Sequence, residues 1–359
     1  MDIKAILKEI VEKGASDVFV IAGRPISYKL GSRIESLNEE MLLPAKTDEF
    51  ISEIYDMAPD RDIGRLRTRG DDDFAFAIPN VSRFRANVYK QRGSFAAVIR
   101  VVAFSLPDPV KLNIIPEVFD LSDRTQGLIL FTGPAESGKT TTLACLIDKI
   151  NSTRNGHIIT LENPIEYLHR HKMSLVSQRE VSLDTESYAA ALRAALRQSP
   201  NVILLGEMRD AETISTALTA AETGHLVIST MFTVGAANAI DRLVDAFPVA
   251  QRERVHTQLS AVLQAVVSQQ LVPTVDGAVA PVFQFMTCNN EIRALIRDGY
   301  SNRINQTIDA YIADGMISMD AGILKLFKEG RITARDALTR SIDPDSMARH
   351  VNSSDKIYF

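Results

Sequence analysis

The sequence lacks the features that mark secreted and membrane-spanning proteins. Its 359 residues include only two cysteines, Cys145 and Cys288, which form no C-x-x-C pair and so exclude a disulfide framework and a four-cysteine zinc site. No window approaches the roughly 18 consecutive apolar residues of a membrane-spanning helix. Residues 1–14 alternate Ile and Leu with Lys and Glu at helical spacing, unlike the apolar core of a secretory signal. The sequence predicts a protein of the reducing cytoplasm without a transmembrane segment.

An excess of basic residues is also absent. The 40 Lys and Arg residues against 45 Asp and Glu give a net charge of −5, so we expect no direct contact with nucleic acid. Hydrophobic residues make up 45% and charged residues 24%, which is ordinary globular usage and excludes a disordered chain or a coiled-coil rod. The length predicts roughly two domains.

Residues 1–106 have the pattern of a small α+β domain. Short segments bounded by turns predict strands near residues 18–22, 26–30, 74–78, 83–89 and 96–102, with a helix over 42–57. Pro107, Pro109 and Pro116 then interrupt all periodicity, because proline supplies no backbone donor and restricts the residue before it. Residues 107–120 are therefore predicted to be a linker.

Residues 121–345 alternate apolar strands with helices. Near-continuous apolar runs at 128–132, 157–161, 202–205 and 226–230 are typical of strands covered on both faces, and helical patterns at 140–151, 185–198 and 211–222 fall between them. This alternation predicts an α/β domain with a doubly wound parallel sheet. We expect residues 248–330 to be mostly helical and residues 346–359 to form a polar, mobile tail.

The strongest local signal is a phosphate-binding loop. The segment that starts at Gly133 reads G-P-A-E-S-G-K-T, fits G-x-x-x-x-G-K-[ST], and stands between an apolar strand and a helix. Lys139 is expected between the β- and γ-phosphates of ATP, and Thr140 is expected to give its hydroxyl to Mg²⁺. Glu136 is unusual, because a carboxylate that faced the phosphates would repel them. The predicted nucleotide-binding residues are Gly133, Pro134, Ala135, Glu136, Ser137, Gly138, Lys139, Thr140 and Thr141.

Two carboxylates follow later strands of the predicted sheet. Glu162 and Glu207 each come after an apolar run, at the carboxyl edge where open α/β sheets bind ligands. Glu207 has the position of a Walker B residue that orients or deprotonates the attacking water, whereas Glu162 alone is equally compatible with a solvated loop acid. Together the two acids favour hydrolysis over binding alone. The predicted magnesium ligands are Thr140, Glu162 and Glu207.

Four further residues are open to two interpretations. His225 precedes a core strand, where a lone histidine is as often a packing residue as a catalyst. Arg83, Arg85 and Arg100 lie in predicted strands of the first domain, where they either form a solvated face or reach a neighbouring nucleotide as charge-stabilising fingers.

Besides the phosphate loop, the chain contains the motifs R-F-R-A-N from Arg83, E-N-P-I-E from Glu162, Q-R-E from Gln178, G-E-M-R-D from Gly206, A-A-E-T-G-H-L from Ala220 and E-I-R-A-L-I-R-D from Glu291. In this order, these motifs resemble those of the PilT family of type IV pilus retraction ATPases, within the secretion ATPase superfamily. The resemblance covers about residues 1–340 and is far more specific than a phosphate loop alone. The paralogous assembly ATPases usually have a longer amino-terminal region and a four-cysteine zinc motif, and neither is present here.

The resemblance implies a PAS-like amino-terminal domain and a RecA-like motor domain with carboxyl-terminal helices. It also implies a homohexamer that hydrolyses ATP at the cytoplasmic base of a pilus machine, peripheral to the inner face of the cell membrane. The implied partners are the inner-membrane platform protein of the pilus and a paralogous pilus ATPase. By the resemblance, Glu162 belongs to the Asp box, Glu207 is the catalytic glutamate, His225 opens the His box, and Arg83, Arg85 and Arg100 approach the phosphates.

The chain departs from the family pattern at three site positions. Glu136 stands where the family has Gly, Asn163 where it has Asp, and Phe232 where the His box has its second histidine. Imidazole can hydrogen-bond a phosphate or a facing subunit and phenylalanine cannot, so we expect reduced rather than absent turnover. Two alternatives stay open: a weakly hydrolysing accessory subunit of the pilus ring, and a nucleic-acid motor on the same fold, which the acidic balance disfavours.

Overall fold

The computed structural model describes residues 2–31, 33–58, 61–102 and 106–354 of the chain, which divides into two compact units. One unit consists of Met1–Ser105 with Ile165–Leu168, and the other consists of Leu106–Pro164 with His169–Phe359. The predicted fold class is confirmed, because a small α+β unit is followed by a larger one built on a largely parallel sheet. In the described ranges, no helix combines the length and the apolar character needed to cross a membrane.

The first unit is a six-stranded antiparallel sheet whose strand order is β3-β2-β1-β6-β5-β4. Alternate residues of β5, namely Phe84, Ala86 and Val88, are fully buried in a core that includes all three helices, so Arg83 and Arg85 lie on the opposite face. Its elements are α1 (Ile3–Glu12), β1 (Asp17–Val20), β2 (Ser27–Leu30), β3 (Arg33–Ser36), α2 (Pro44–Asp56), α3 (Ile63–Arg69), β4 (Asp71–Ile78), β5 (Ser82–Gln91) and β6 (Ser94–Val102).

The second unit has a seven-stranded sheet in the order β13-β12-β7-β11-β10-β8-β9, in which only β13 runs antiparallel to its neighbour. Its strands are β7 (Gly127–Thr132), β8 (His157–Glu162), β9 (Leu175–Glu180), β10 (Val202–Leu205), β11 (Leu226–Met231), β12 (Leu263–Pro273) and β13 (Val279–Thr287). Its helices are α4 (Pro116–Asp120), α5 (Lys139–Thr153), α6 (Tyr188–Ala195), α7 (Ala211–Glu222), α8 (Ala236–Asp245), α9 (Val249–Val262), α10 (Asn290–Arg297), α11 (Ile304–Ala310), α12 (Met319–Lys328), α13 (Ala334–Arg340) and α14 (Pro344–Ser354).

Strand β7 shows why the central strands read as continuous apolar runs. Leu128 and Leu130 pack into the core on one side of the sheet, whereas Ile129 and Phe131 pack into the core on the other. Because both faces are buried, residues 128–131 are all apolar and no alternation appears in the sequence. Parallel pairing brings the carboxyl ends of six strands to one edge of the sheet, namely β12, β7, β11, β10, β8 and β9.

The prediction that residues 248–330 are mostly helical is wrong in its central part. Strands β12 and β13 form a hairpin there, with Asp276 and Gly277 in its turn, and β12 pairs in parallel with β7. Strand β12 is buried along nearly its whole length, so it lacks the period of two that identifies a strand. The D-G turn between two apolar runs was the available signal.

The predicted linker and tail also differ from the structure. Ile114, Val118 and Leu121 pack into the core beside β7, so the carboxyl-terminal half of the predicted 107–120 linker is part of the second unit. Residues 344–354 form helix α14 instead of a mobile tail, because Met347 and Val351, four residues apart, are buried in one core cluster. Residues 355–359 of the predicted tail lie outside the described residues.

Candidate nucleotide site

The phosphate loop connects the carboxyl end of β7 to the first residue of α5. Its two pattern glycines both adopt positive φ, 146° at Gly133 and 84° at Gly138. Lys139 is buried, and its Nζ atom donates hydrogen bonds to the carbonyl oxygens of Gly133 (2.9 Å) and Pro134 (2.6 Å). The ammonium group is therefore held within the loop that is predicted to surround the phosphates.

The remaining predicted binding residues occupy the outer loop and the first turn of α5. Ser137 is buried, Ala135 is exposed, and Thr140 and Thr141 are half-buried at the start of the helix. The amino-terminal end of α5 and the backbone N–H groups around it form the part of the site that favours an anion. The predicted loop residues are thus brought together as one segment.

Glu136 is the one non-glycine residue of the loop with a left-handed backbone. Its φ is 60°, and its side chain is exposed. The family glycine would adopt this conformation without steric cost, whereas an L-residue pays about 1–2 kcal/mol for it. The negative charge of this exposed carboxylate contributes to the electrostatic potential around the site.

Replacing Glu136 with glycine is expected to tighten MgATP binding about threefold at low salt, because a nearby negative charge is removed. Thermal stability should also rise by about 1 kcal/mol because the backbone strain is relieved. Fluorescence titration with a labelled ATP analogue and thermal melts measure the two effects. Glu136→Gln separates them: it should reproduce the gain in affinity, which should vanish at high salt, without the gain in stability. Unchanged affinity in both variants at low salt would contradict an electrostatic role for Glu136.

Glu162 and Glu207 lie at the carboxyl edge of the sheet, as the sequence predicts. Strands β8 and β10 are parallel neighbours with Leu161 paired to Leu205, so the acids that follow emerge side by side. Glu162 ends β8 and is 8% exposed; its Oε1 atom accepts hydrogen bonds from the Thr160 hydroxyl (2.6 Å) and the Gln178 side-chain amide (3.1 Å). A carboxylate fixed in this way is a structural part of the site rather than a solvated loop acid.

Glu207 forms an ion pair with Arg209, whose Nε atom lies 2.8 Å from its Oε2 atom. The Glu207 side chain is one-fifth exposed, so water can reach it, and the ion pair restricts the orientation of the carboxylate. This combination suits a base that must hold a water molecule in one direction. Arg209 belongs to the G-E-M-R-D motif, but its pairing with Glu207 was not predicted from the sequence.

Tyr188 is a site residue that the sequence did not reveal. It begins α6, and a Cβ atom added to Gly206 would lie 2.7 Å from its hydroxyl oxygen. Burial raises the pKa of the Tyr188 phenol, and the negative charges of Glu207 and Glu162 raise it further. The phenol therefore stays protonated beside both acids, where it can donate a hydrogen bond. No motif marks this residue, because the contact depends on how α6 packs over the strand ends.

Phe232 lies beside the phosphate loop, directly after β11. Its ring centroid is 4.8 Å from the Nζ atom of Lys139 and 5.7 Å from the Cζ atom of Arg209. Both distances fit cation–π contacts, although the ring itself is 54% exposed. An aromatic ring thus bridges the lysine of the phosphate loop and the arginine paired with Glu207. Asn163, the other departure near the strand ends, is exposed after β8.

His225 lies at the amino ends of the parallel strands, so the structure does not bring it to the phosphate loop of its own chain, and its catalytic role stays a prediction. It precedes β11, whose first residue pairs with Gly127 at the start of β7, and the six residues of β11 span about 20 Å. Its Nδ1 atom is 3.0 Å from the carbonyl oxygen of Ala220 at the end of α7. This contact at the end of the helix is compatible with the packing or hydrogen-bonding role that the sequence also allows.

The three predicted arginines share one face of the first unit's sheet. Arg85 and Arg100 are directly paired across β5 and β6, and Arg83 is two residues from Arg85. Arg85 makes a bidentate ion pair with Asp73 (3.0 and 2.8 Å), and the Nε atom of Arg100 lies 3.2 Å from Asp17. Within their own unit, these arginines form a partly neutralised cationic face.

The donor set at the strand ends fits a magnesium ion that arrives with the nucleotide. Among the described residues, no group of three or more His, Cys, Asp and Glu side chains stands close enough to hold a metal by itself. Mg²⁺ is usually bound through one or two carboxylates together with substrate phosphates and water. Thr140, Glu162 and Glu207 supply a hydroxyl and two carboxylates of this kind.

The phosphate loop between β7 and α5 and the acids after β8 and β10 define a P-loop nucleotide-binding protein. The family model for type II/IV secretion system proteins matches residues 1–309. The chain belongs to this family.

Individual relatives match over nearly the full length. The type IV pilus retraction ATPase PilT of Pseudomonas aeruginosa is 39% identical over 347 residues, which cover 96% of this chain and 100% of that protein. The type IV pilus ATPase PilU of the same organism is 36% identical over 343 residues, which cover 95% and 89%. A crystal structure of the pilus retraction motor PilT with bound ADP matches with a TM-score of 0.86 and 43% identity, covering 97% of this chain and 99% of that one.

Proposed function

We propose that this protein is a motor ATPase that drives type IV pilus retraction by hydrolysing MgATP. The observation that carries the proposal is the position of Glu207, which lies beside Glu162 at the sheet edge to which the phosphate loop also belongs. The similarity to PilT over the whole chain supports retraction as the work performed. The protein acts as a homohexamer on the cytoplasmic side, docked on the inner-membrane platform protein of the pilus.

Nucleotide binding begins with the phosphate loop. Backbone N–H groups at the start of α5 bind the phosphate oxygens, and Lys139 exchanges its hydrogen bonds with Gly133 and Pro134 for contacts with the β- and γ-phosphates. Thr140, Glu162 and Glu207 would hold a Mg²⁺ ion bound to ATP, which would neutralise charge on the phosphates. Glu162 is already fixed for this by Thr160 and Gln178.

Hydrolysis then depends on Glu207. Its carboxylate orients a water molecule toward the γ-phosphorus and accepts a proton as the water oxygen bonds to phosphorus and the bond to the β,γ-bridging oxygen breaks. The Arg209 ion pair fixes the carboxylate for this step. Arg83, Arg85 and Arg100 act as charge-stabilising fingers toward a nucleotide, and Arg85 would exchange part of its pairing with Asp73 for phosphate oxygens.

Phe232 limits the turnover of this enzyme in the proposed mechanism. Replacing it with histidine is expected to raise kcat about tenfold, because imidazole can hydrogen-bond the departing phosphate and the ring no longer covers the Lys139 ammonium. Steady-state hydrolysis over a range of ATP concentrations measures kcat and KM separately. In Phe232→Leu the ring is lost and no imidazole is gained, so a gain confined to histidine identifies hydrogen bonding as the cause. A change below twofold in both variants would remove Phe232 from the mechanism.

A weakly hydrolysing accessory subunit of the pilus ring is the second candidate. The contact of Phe232 with both Lys139 and Arg209 favours it, because that contact must be rearranged whenever ATP occupies the loop. Deleting the gene in its own bacterium and restoring it tests the two candidates. If the protein is the retraction motor, the wild-type gene restores pilus retraction and the Glu207→Gln gene does not. Restoration of retraction by both genes would favour the accessory subunit.

A further inference from the structure

Strand β12 contains three consecutive buried polar residues in an otherwise apolar run. Ser268, Gln269 and Gln270 are between 0% and 4% exposed. Burial of a polar side chain is unfavourable unless it is hydrogen-bonded, and each of the three has a partner in a different segment. The Ser268 hydroxyl accepts from the Gly235 N–H (2.9 Å), and the Gln270 amide donates to the carbonyl oxygen of Arg340 (3.0 Å).

Gln269, between them, lies against the phosphate loop and the first turn of α5. Its Oε1 atom accepts a hydrogen bond from the Thr142 hydroxyl in the first turn of α5 (2.8 Å). A Cβ atom added to Gly138 would lie 2.9 Å from its Nε2 atom, and one added to Gly133 would lie 2.1 Å from its backbone oxygen. One residue of β12 therefore lies against both pattern glycines and the helix that follows them.

The contacts of Gln269 also bear on the shape of the phosphate loop. The glycines allow the loop its positive φ angles, but they also leave it without side chains that could fix its shape. Gln269 supplies a fixed surface from outside the loop, held in the sheet by the pairing of β12 with β7 and β13. The loop can then present its N–H groups to a phosphate before the nucleotide arrives, which lowers the ordering cost of binding.

We propose that Gln269 is a positioning residue for nucleotide binding, which holds the phosphate loop and the first turn of α5 in the binding geometry. The role rests on the proposed nucleotide binding at this loop. It is exerted through Thr142, Gly133 and Gly138 and requires no contact between Gln269 and the nucleotide.

Gln270 provides a matched control, because it has the same side chain, the same strand and nearly the same burial but a partner outside the site. Gln269→Leu and Gln270→Leu are compared with wild type for affinity toward a fluorescent ATP analogue, kcat, KM and melting temperature. We expect Gln269→Leu to weaken binding and raise KM about tenfold with kcat changed less than twofold, and Gln270→Leu to leave affinity within twofold of wild type. Equal affinity losses in both variants would show a general effect of disturbing β12 and would overturn the proposal.

Thr142→Val removes the other half of the hydrogen bond with little change in volume. It should weaken binding to a similar extent, and the double variant Gln269→Leu/Thr142→Val should bind no worse than the weaker single variant, because the two changes remove one interaction. If Gln269→Leu does not fold, Thr142→Val decides: weaker binding supports the proposal, and wild-type affinity overturns it. Failure of the wild-type protein to bind ATP would instead refute the proposed function.

Discussion

Glu207→Gln is expected to lower the rate of ATP hydrolysis about a thousandfold while MgATP still binds. The amide has nearly the same shape as the carboxylate, but it cannot accept the proton of the attacking water. Replacing the carboxylate also removes the ion pair with Arg209, so the side chain is no longer held toward the water. Single-turnover hydrolysis of bound radiolabelled ATP measures the chemical step, and an equilibrium titration on the same sample measures binding.

Glu212→Gln is the control for this change. Glu212 lies five residues further along, in the first turn of α7, and is exposed in an ion pair with Arg193. Loss of the Glu212 charge should leave the single-turnover rate within twofold of wild type, because an exposed ion pair contributes little to protein stability. If Glu207→Gln retained the wild-type rate, the base would have to lie elsewhere, and Glu162→Gln would then be the variant that loses activity.

Lys139→Ala is expected to weaken MgATP binding at least about a hundredfold, because charge-assisted hydrogen bonds to two phosphates are lost in a buried position. The same change leaves the carbonyl oxygens of Gly133 and Pro134 without their donor, so the loop loses order as well. Calorimetric titration at two salt concentrations measures the affinity and its dependence on charge.

Lys149→Ala controls for the loss of one positive charge from α5. Lys149 is exposed ten residues further along the same helix, so its removal should change the affinity less than twofold. Wild-type affinity in Lys139→Ala would mean that the ammonium stays on the loop carbonyls when the nucleotide binds. The phosphate loop would then act through its backbone alone.

The sequence predicted those parts of the motor unit that are local in the chain. The limits predicted for β10 and α7 agree with the structure, and β7 and α5 differ by one or two residues at their ends. The phosphate loop is one continuous segment of the chain, so its sequence motif also locates the strand before it and the helix after it. Glu162 and Glu207 were located because parallel strands end at one edge.

Contacts between distant segments could not be predicted in the same way. The hydrogen bond between Thr142 and Gln269 joins residues 127 positions apart, and it involves a strand whose burial hides its period. Tyr188 reaches the strand ends only because of how α6 packs. β9 was missed because it reads L-V-S-Q-R-E, with only two apolar residues.

His225 is a predicted site residue that the structure does not bring to the phosphate loop of its own chain. The resemblance to the family predicts a catalytic role for His225, which stays a prediction, and the residue precedes a parallel strand and so lies at the amino edge of the sheet. Phe232, at the other end of the same strand, is the residue that reaches Lys139.

Steady-state phosphate release from MgATP by the purified protein is the most direct test of the proposed motor activity. Wild type is measured beside Lys139→Ala and Glu207→Gln, which exclude a contaminating enzyme. We expect turnover in wild type that is lost in both variants. Equal release from all three, with nucleotide bound to wild type, would contradict hydrolysis at this site and leave the accessory ring subunit as the better account.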